Sequence, residues 1–434
     1  MSSEAIDAGN ANLSARPSAR DEGVETFDVV ISGASGSGLA LALALSRGGG
    51  GELRIAVLDK STGTGPSVDL RAYALSAASE RMLAELGVWT SVAAEAQPVG
   101  TIEITDSSLD AGIRPVVLTY ENVTSDGRAA STIVPSSSLL SSLRWQALAA
   151  QGVTLLPGTE ATEIDRADGG AQLLTSSGRR YRAGLFVAAE GRASRLRDGA
   201  GIKLISWRYP QIGIVTIVAH ERPHEGKAVQ HFLPGGPFAI LPMTGQRSCI
   251  TWSEDETEAR RILALDDAEF LAEVDKRFGG RLGRVSLAAP GPQGRQSWPL
   301  GFHLARAYVA DRLALIGDTA HGVHPIAGQG LNLGFRDAAA LAEVVIDASR
   351  LGLDIGSATV LERYERWRRF DSALSAAAFD GLNRLFSNDG TIVRAVRDVG
   401  LGIVDRMPEL KSMLVTEAAG LSGELPRIMR GERI

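Results

Sequence analysis

Residues 27–45 read FDVVISGASGSGLALALAL and combine a short apolar run, a glycine-rich turn and an alternation of leucine with alanine. This order predicts a strand, a tight turn and a helix. Gly48 to Gly51 end the helix, residues 53–58 (LRIAVL) have the pattern of a buried strand, and Asp59 stands at its carboxyl end. The segment therefore predicts a βαβ unit at the start of an α/β domain.

The turn of this unit has nearly the spacing of a dinucleotide-binding turn, which needs glycine at its first, third and sixth positions. Gly33 and Gly38 fit, and Asp59, a candidate partner of ribose hydroxyls, lies 21 residues after Gly38. The third position is Ser35, whose Cβ points to where a phosphate should approach and whose hydroxyl can donate a hydrogen bond. Gly36 leaves the turn adaptable. By itself the turn is compatible with a nucleotide site and with a purely structural strand-turn-helix.

The composition excludes several classes of protein. The chain has 434 residues, of which 44% are hydrophobic, and 45 Lys and Arg stand against 51 Asp and Glu for a net charge of -6. This size predicts two or three packed units, and an acidic balance with scattered basic residues disfavours nucleic-acid binding. The single Cys249 permits no internal disulfide and no cysteine zinc site, which favours the reducing cytoplasm. The apolar run 39–45 is too short to span a bilayer.

Two kinds of segment alternate along the chain. Buried-strand patterns return at 185–189 and 312–317, and residues 328–349 have the length and composition of a long helix. Residues 205–299 contain short strands separated by Pro and Gly, which predicts an antiparallel sheet. The predicted organisation is a disordered tail (1–26), a nucleotide-binding domain (27–95 with 132–204 and 300–350), a sheet domain (96–131 with 205–299) and C-terminal helices (351–434).

A second candidate site lies at residues 317–334, which read GDTAHGVHPIAGQGLNLG. A carboxylate at the end of a buried strand, followed by a glycine-rich loop and a helix N-terminus, is suited to binding a sugar hydroxyl and an anionic group together. Asp318, His321 and His324 have the spacing of metal ligands as well. Pro325 follows at once and no further His or Cys lies nearby, so a metal site is disfavoured.

These segments carry a family resemblance. Residues 33–38, 190–197 (EGRASRLR) and 317–334 stand in the order and spacing of the three motifs of FAD-dependent aromatic hydroxylases. More narrowly, residues 69–76 (DLRAYALS) and 324–332 (HPIAGQGLN) resemble the hydroxylases of ubiquinone biosynthesis, as do 382–386 with 400–401. The resemblance implies an α/β fold like that of para-hydroxybenzoate hydroxylase. It would have a Rossmann-like FAD-binding domain, an antiparallel-sheet substrate domain and C-terminal helices.

The resemblance also implies roles for individual residues. Gly33 and Gly38 would contact the FAD pyrophosphate, Asp59 its ribose, Arg71 its phosphates and Asp318 its ribityl chain. The amides of residues 328–332 would face the flavin pyrimidine edge, where negative charge accumulates on reduction. The implied cofactor set is Gly33, Ser35, Gly36, Gly38, Asp59, Arg71, Glu190, Gly191, Gly317, Asp318, Pro325, Gly328, Gly330, Leu331 and Asn332. We call Pro325, Gly328, Gly330, Leu331 and Asn332 the flavin-edge loop.

The family pattern is not matched everywhere. Ser35 replaces a glycine, Glu190 stands where the family usually has aspartate, and residues 135–138 (PSSS) occupy a stretch where a polar or basic flavin contact is common. Glu190 keeps the charge but adds a methylene, which either loosens a nucleotide contact or is absorbed by neighbouring residues.

The implied activity is ring hydroxylation of a polyprenylated phenol with O2, with FAD reduced by NAD(P)H or another electron donor. No second nucleotide turn is found, and no catalytic side chain is assigned beyond the flavin-edge loop. Two alternatives stay open: a hydroxylase of a small soluble phenol or other aromatic, and a non-catalytic assembly subunit with weakened FAD binding. The state of assembly also stays open between a homodimer and a biosynthetic complex.

The middle sheet would supply the substrate wall through His231, Phe238, Leu241 and Trp252, with ordinary core packing as the alternative for each. Residues 377–413 place Arg394, Arg397 and Arg406 among apolar residues. Such a basic amphipathic helix can lie on the inner face of the cytoplasmic membrane. It can equally pack on the FAD domain or on a dimer partner.

Overall fold

The computed structural model describes residues 24–62, 69–106, 109, 116–166, 171–324, 328–386 and 407–434. The strands of these residues are β1 Glu25–Ser32, β2 Ile55–Asp59, β3 Ala72–Ser76, β4 Gln97–Pro98, β5 Thr101–Asp106, β6 Val116–Glu121, β7 Ser131–Pro135, β8 Val153–Pro157, β9 Ala161–Asp165, β10 Gln172–Thr175, β11 Arg180–Ala188, β12 Leu204–His220, β13 Lys227–Leu233, β14 Gly236–Met243, β15 Arg247–Asp255, β16 Val285–Leu287, β17 Arg295–Ala305, β18 Val309–Ala310, β19 Leu313–Leu315 and β20 His321–Gly322. The helices are α1 Gly36–Gly48, α2 Ala77–Glu85, α3 Trp89–Val92, α4 Ser136–Ala149, α5 Arg195–Gly199, α6 Glu256–Leu263, α7 Asp267–Phe278, α8 Gly330–Arg350, α9 Ala358–Phe386 and α10 Pro408–Ala418.

The first sheet has the order β18-β19-β11-β1-β2-β8, and its four pairings from β19 to β8 are parallel. Its central strand β1 is apolar on both faces, because Val29, Val30 and Ile31 are all fully buried. Residues 39–45 of α1 are buried too, since this helix packs against the sheet and against α8. A parallel sheet covered by helices explains why the sequence shows continuous apolar runs here.

The second sheet has the order β20-β17-β12-β15-β14-β13-β5-β6 and is antiparallel except where β13 pairs with β5. One face is covered by α6 and α7, whose apolar residues join the core of the sheet. The other face packs on the small sheet β3-β7-β4 through residues such as Val215, Cys249 and Ile133. The small sheet therefore joins the two large ones.

The predicted fold class is confirmed, with three differences in detail. Helices α6 and α7 were not predicted, although Asp266 and Glu269 form a capping box at the start of α7. Strand β1 begins at Glu25, within the predicted tail, of which residues 1–23 lie outside the described part. Strand β17 runs from Arg295 to Ala305, so the predicted boundary at 299–300 falls inside one strand.

The C-terminal segment returns to the first domain. Tyr364 of α9 and the last residues Ile428, Met429 and Ile434 belong to the same apolar core as α1 and β1. No helix among the described residues is long and apolar enough to span a membrane. Arg394, Arg397 and Arg406, the basic residues of the predicted amphipathic segment, lie outside the described residues.

Candidate active site

The first turn has the geometry that its glycines predict. Gly33 has φ +116°, and a Cβ there would lie 2.3 Å from the carbonyl oxygen of Ala189. A Cβ on Gly38 would lie 2.1 Å from the carbonyl oxygen of Gly33. Ser35 has extended φ and ψ of −76° and 173°, and its Oγ accepts the Gly38 N–H at 3.2 Å as the N-cap of α1. The turn is therefore closed tightly by glycine, and Ser35 is accommodated without backbone strain.

The first and third sequence motifs meet where α1 crosses α8. A Cβ on Gly334 would lie 2.2 Å from Ser37 Oγ, and one on Gly317 would lie 3.0 Å from it. A Cβ on Gly36 would lie 2.9 Å from the Leu331 side chain of the flavin-edge loop. Gly36, Gly317 and Gly334 therefore allow the two helix ends to approach closely.

The second sequence motif, residues 190–197, is hydrogen-bonded to the strand that precedes the first motif and to the third motif. Glu190 accepts hydrogen bonds from Ser32 Oγ at 2.8 Å, from the Leu196 amide at 3.2 Å and from Ser194 Oγ. The Gly191 amide donates to Thr319 Oγ1 at 3.0 Å. The longer side chain of Glu190 is thus absorbed by contacts within the chain, where it joins the end of β1 to the start of α5.

Asp59 lies at the end of β2, as predicted, and it has a partner that the sequence did not predict. Its Oδ1 accepts the Ser61 amide at 3.0 Å, and its Oδ2 is paired with the guanidinium of Arg144 on α4. Arg144 therefore fixes the orientation of the carboxylate. Each carboxylate oxygen has two acceptor positions, so Asp59 can still accept ribose hydroxyls.

Arg71 is held in a cage that spans two domains. Asp69 accepts from its Nε at 2.9 Å and from its second terminal nitrogen at 2.7 Å, and Asp69 also accepts from Ser136 Oγ at 2.6 Å. The guanidinium lies 5.7 Å from the ring centroid of Tyr73 and 5.8 Å from that of Trp298 on β17. Burial opposes ionisation of Asp69, but the bonds from Arg71 and Ser136 outweigh it and bring the pKa below its usual value. The cage keeps a cation near the exposed Asp318.

The flavin-edge loop ends in a helix N-terminus without a side-chain cap. Gln329, the N-cap residue of α8, makes no capping hydrogen bond with its side chain. Gly328 has φ +62°, and a Cβ on Gly330 would meet no atom within 4 Å. The first amides of α8 therefore have no side-chain cap, and such a helix N-terminus suits an anionic or electron-rich edge. Pro325 lies outside the described residues.

The side chain of Asn332 does not point to a ligand. Its Oδ1 accepts the Ser76 amide at 3.0 Å and Ser79 Oγ at 2.8 Å, while its Nδ2 donates to the Ala74 carbonyl at 2.8 Å and to Gln329 Oε1 at 3.1 Å. These bonds use its full hydrogen-bonding capacity. Asn332 therefore pins the start of α8 to β3 and α2, and only its backbone remains for a cofactor.

Asp337 on α8 supports the turn that carries Asp318. It is fully buried and accepts the Gly317 amide at 2.9 Å, His321 Nε2 at 2.6 Å and Arg368 Nε at 2.9 Å. Burial by itself raises the pKa of Asp337, but the facing His321 and Arg368 outweigh burial and hold its pKa below the usual range. Helix α9, which carries Arg368, is thus connected to the cofactor turn.

His303 on β17 supports the same turn from the other side. Its Nε2 donates to the carbonyl oxygen of Asp318 at 2.7 Å. A Cβ on Gly322 would lie 2.1 Å from the His303 ring, so glycine is required there. Burial lowers the pKa of His303. The imidazole therefore holds the backbone of Asp318 and is protonated less readily than an exposed histidine.

The four predicted substrate residues lie on two faces of the second sheet. Phe238 and Trp252 are buried in the core under α6 and α7, and His231 is on the same face, stacked near Phe238 and hydrogen-bonded to Thr105. Leu241 lies on the opposite face, toward the small sheet. Successive side chains of a strand point to opposite faces of the sheet, so Leu241 and the other three residues are on different sides. The structure thus brings only Leu241 to the cofactor side, and core packing accounts for the other three.

A different apolar cluster lies beside the flavin-edge loop. Trp207 stacks on Phe302 with ring centroids 4.1 Å apart, and Tyr209 meets the ring of His324 edge-on at 5.3 Å. Val323 and Leu333 flank the loop in sequence. We call this group the aromatic cluster; its members are Trp207, Tyr209, Trp298, Leu300, Phe302, Leu304, Val323 and Leu333.

The sequence analysis did not identify several of these residues. Arg144, Asp337 and Arg368 each meet their partners across a long stretch of sequence, so no local spacing marks them. Trp207 and Tyr209 had a signal, because aromatic residues alternate on β12. The metal alternative gains no support: in the described part of the chain no three His, Cys, Asp or Glu side chains are grouped to hold an ion.

The residues present fit FAD. The tight turn at Gly33 leads into the N-terminus of α1, and Gly330 begins α8 without a side-chain cap; both helix N-termini suit anionic groups, and Arg71 adds a cation. Asp59 and the exposed Asp318 offer carboxylates for hydroxyl groups. Bound there, FAD would supply redox chemistry next to an aromatic-lined, apolar wall.

Known proteins are similar to this chain in sequence. The family described as FAD binding domain matches residues 26–372. The chain is 42% identical over 366 residues to the ubiquinone hydroxylase UbiL of Rhodospirillum rubrum, covering 84% of this chain and 83% of that protein. It is 33% identical over 361 residues to the 3-demethoxyubiquinol 3-hydroxylase of Escherichia coli, covering 81% and 88%.

A solved structure shows the same fold. The crystal structure of p-nitrophenol 4-monooxygenase PnpA from Pseudomonas putida matches with a TM-score of 0.74 at 20% identity, over 92% of this chain and 100% of that one. Fold, motifs and relatives agree. The chain therefore belongs to the FAD-binding-domain family, among the FAD-dependent hydroxylases of ubiquinone biosynthesis, and is an FAD-dependent monooxygenase.

Proposed function

We propose that this protein hydroxylates the aromatic ring of a polyprenylated phenol in ubiquinone biosynthesis. The observation that carries the proposal is the position of the aromatic cluster, which borders the flavin-edge loop at the uncapped N-terminus of α8. An electron-rich ring against this cluster would lie beside the cofactor. The names of the two relatives, a ubiquinone hydroxylase and a demethoxyubiquinol hydroxylase, support the substrate class.

The chain has three tasks in such a reaction. Bound FAD supplies the redox chemistry by which two electrons from NAD(P)H or another donor reduce O2, so that one oxygen atom enters the ring and the other leaves as water. The amides at the start of α8 stabilise negative charge that develops at the cofactor edge. The aromatic cluster excludes water and orients the ring. Arg71, held between Tyr73 and Trp298, fixes the anionic part of the cofactor.

We infer that the protein reaches its substrate as a peripheral membrane protein on the inner face of the cytoplasmic membrane. A polyprenylated phenol dissolves in the bilayer. The segment 387–406 has three arginines and three aspartates, so it would attract anionic lipid through a face on which Arg394, Arg397 and Arg406 are gathered. Flotation with anionic liposomes tests this inference. Binding should weaken as salt screens the charges, and failure to float at low salt would contradict it.

The substrate class is tested by turnover. The protein reconstituted with FAD should retain flavin absorbance and should couple oxygen uptake to hydroxylated product with a prenylated phenol. The bare phenol is the comparison substrate. Equal coupled turnover of the bare phenol would favour a hydroxylase of small soluble phenols, and failure to retain flavin at high FAD concentration would favour a non-catalytic assembly subunit.

A further inference from the structure

We propose that the prenyl chain binds along a strip of apolar side chains that leads from the aromatic cluster to the protein surface. This prenyl strip consists of Ile205, Trp207 and Tyr209 on β12 and Leu300, Phe302 and Leu304 on β17. It rests on the proposed function and gives the lipid part of the same substrate a location. Its inner end lies at the flavin-edge loop and its outer end at Ile205.

Strand geometry places these residues on one face. Alternate residues of β17 point to the same side of the sheet. Gln296 and Trp298 on that side contact the segment of Leu70 and Arg71, and Leu300, Phe302 and Leu304 continue the row. The row therefore runs from the cofactor side of the sheet outward.

Strand β12 supplies the second row. Trp207 pairs with Phe302 and Ile205 pairs with Leu304 in the antiparallel register. Paired side chains lie side by side on one face. Arg208, which is ion-paired with Glu256, and the exposed Ser206 lie between the apolar positions and point to the other face. The strip is therefore apolar along its whole length.

Burial along the strip decreases toward the surface. Leu300 is 1% exposed, Phe302 6% and Tyr209 7%, Trp207 is half-buried, and Ile205 is 43% exposed. From Tyr209 to Ile205 the strand advances about 13 Å. The most buried of these residues form the packed base of the strip, and Trp207 and Ile205 provide the accessible apolar surface along which the tail of a ligand with an aromatic head can lie. A few isoprene units would cover this distance, and the remaining units would leave at Ile205.

The first test compares chain lengths in the FAD-loaded full chain. Ile205→Ser and Trp207→Ala should each raise, about tenfold, the ratio of KM for a phenol with several isoprene units to KM for the same phenol with one. The matched controls are Val116→Ser on β6, where Val116 is 44% exposed, and Trp145→Ala on α4, where Trp145 is 71% exposed. Both controls should keep the wild-type ratio.

The outcomes separate the two proposals. If the wild type couples turnover of the bare phenol as well as that of prenylated phenols, the proposed substrate class fails and the strip fails with it. If prenylated phenols are preferred but the one-unit and long-chain phenols have equal KM, the strip alone is overturned. If the wild type prefers the long chain but the ratio in Ile205→Ser matches that in Val116→Ser, the strip alone is overturned. Because Ile205 lies at the surface, its replacement keeps the test valid even where Trp207→Ala unfolds the protein.

The second test locates the chain directly. A phenol whose prenyl chain carries a photoreactive diazirine should label peptides that contain residues 204–209 or 298–304. Labelling confined to other segments would overturn the strip. A change of oligomeric state in Ile205→Ser without labelling of these peptides would also overturn it, because Ile205 would then belong to a contact between two copies.

Discussion

Ser35 shows how one side chain can serve both the helix and a cofactor. A hydroxyl has one donor and two acceptor positions. The N-cap of α1 uses an acceptor position for the Gly38 amide, so the proton can still be donated to a phosphate oxygen. This geometry favours a donor role for Ser35 over steric exclusion of the pyrophosphate.

Ser35→Ala should therefore weaken FAD binding about tenfold, since one hydrogen bond to a charged group is lost. Ser35→Ala should also lower the free energy of unfolding of the apoprotein by about 1 kcal/mol through loss of the cap, whereas Ser35→Gly should lower it by only a few tenths of a kcal/mol. Flavin fluorescence titration and thermal unfolding of the apoprotein measure the two effects. Tighter FAD binding by Ser35→Gly than by the wild type would mean that the side chain obstructs the phosphate.

His303 predicts a pH dependence of stability. Burial lowers its pKa, Arg192 and Arg197 act in the same direction, and Asp318 opposes them. The folded protein therefore takes up a proton less readily than the unfolded chain, whose histidines titrate near about 6.5. Stability should be unaffected by this group above that pH and should fall as the pH drops below it. His220 has a pKa shifted in the same direction and adds to the effect.

In His303→Gln the amide can still donate to the Asp318 carbonyl but does not titrate. The melting temperature of this variant should fall less than that of the wild type between pH 7.5 and pH 5.5. His220→Gln should reduce the pH dependence in the same direction and is the comparison for a titrating histidine outside the cofactor turn. An unchanged pH dependence in His303→Gln would show that His303 does not contribute.

At the scale of elements, the start of α8 is set by Asn332 rather than by a capping side chain. Asn332→Ala should leave buried groups of β3 and α2 without partners and should cost about 2–4 kcal/mol of stability. Asn332→Ala should also lower the affinity for FAD, because the first amides of α8 would no longer be held in place. The control is Asn122→Ala, which removes buried hydrogen bonds to the Val99 carbonyl and Ser131 Oγ on the neighbouring strand β7 but none to α8. Equal flavin affinity in both variants would contradict the positioning role.

The sequence predicted those elements whose residues are constrained locally. Gly33 and Gly38 are required by a positive φ and by close backbone contact, so spacing alone revealed them. The face of a strand is decided by what covers it, and the helices α6 and α7 that bury Phe238 and Trp252 were not predicted. The partners of Asp59 and Asp337 depend on how α4 and α9 pack, which no short pattern encodes.

At the scale of the whole molecule, the segments around the cofactor site meet the substrate sheet in two places of the described chain. Strand β20, which follows Asp318, pairs with β17, and the segment of Leu70 and Arg71 forms a second contact, which we call the seam. The Leu70 amide donates to Gln296 Oε1 at 3.0 Å, Arg71 lies over Trp298, and Cys249 Sγ is 3.6 Å from the Leu70 carbonyl oxygen. The segment that carries Arg71 to the cofactor is therefore bonded to β17 of the substrate sheet. If FAD binding reduces the mobility of Arg71, the mobility of that sheet should therefore fall as well.

FAD at 100 times its Kd stabilises the folded state by about 2.7 kcal/mol. If the seam couples the domains, this stabilisation should slow hydrogen exchange in β12 and β17 as well as in β1 and α1. The double variant Gln296→Ala, Trp298→Leu should keep the protection of β1 and α1 but lose part of the added protection in β12 and β17, chiefly near residues 295–300, because the end of β17 that pairs with β20 stays connected to the cofactor turn. Leu263→Ala, under the opposite face of the sheet, is the control for destabilisation of the substrate domain alone. Protection that FAD confers only on β1 and α1 in the wild type would show that the two domains respond independently.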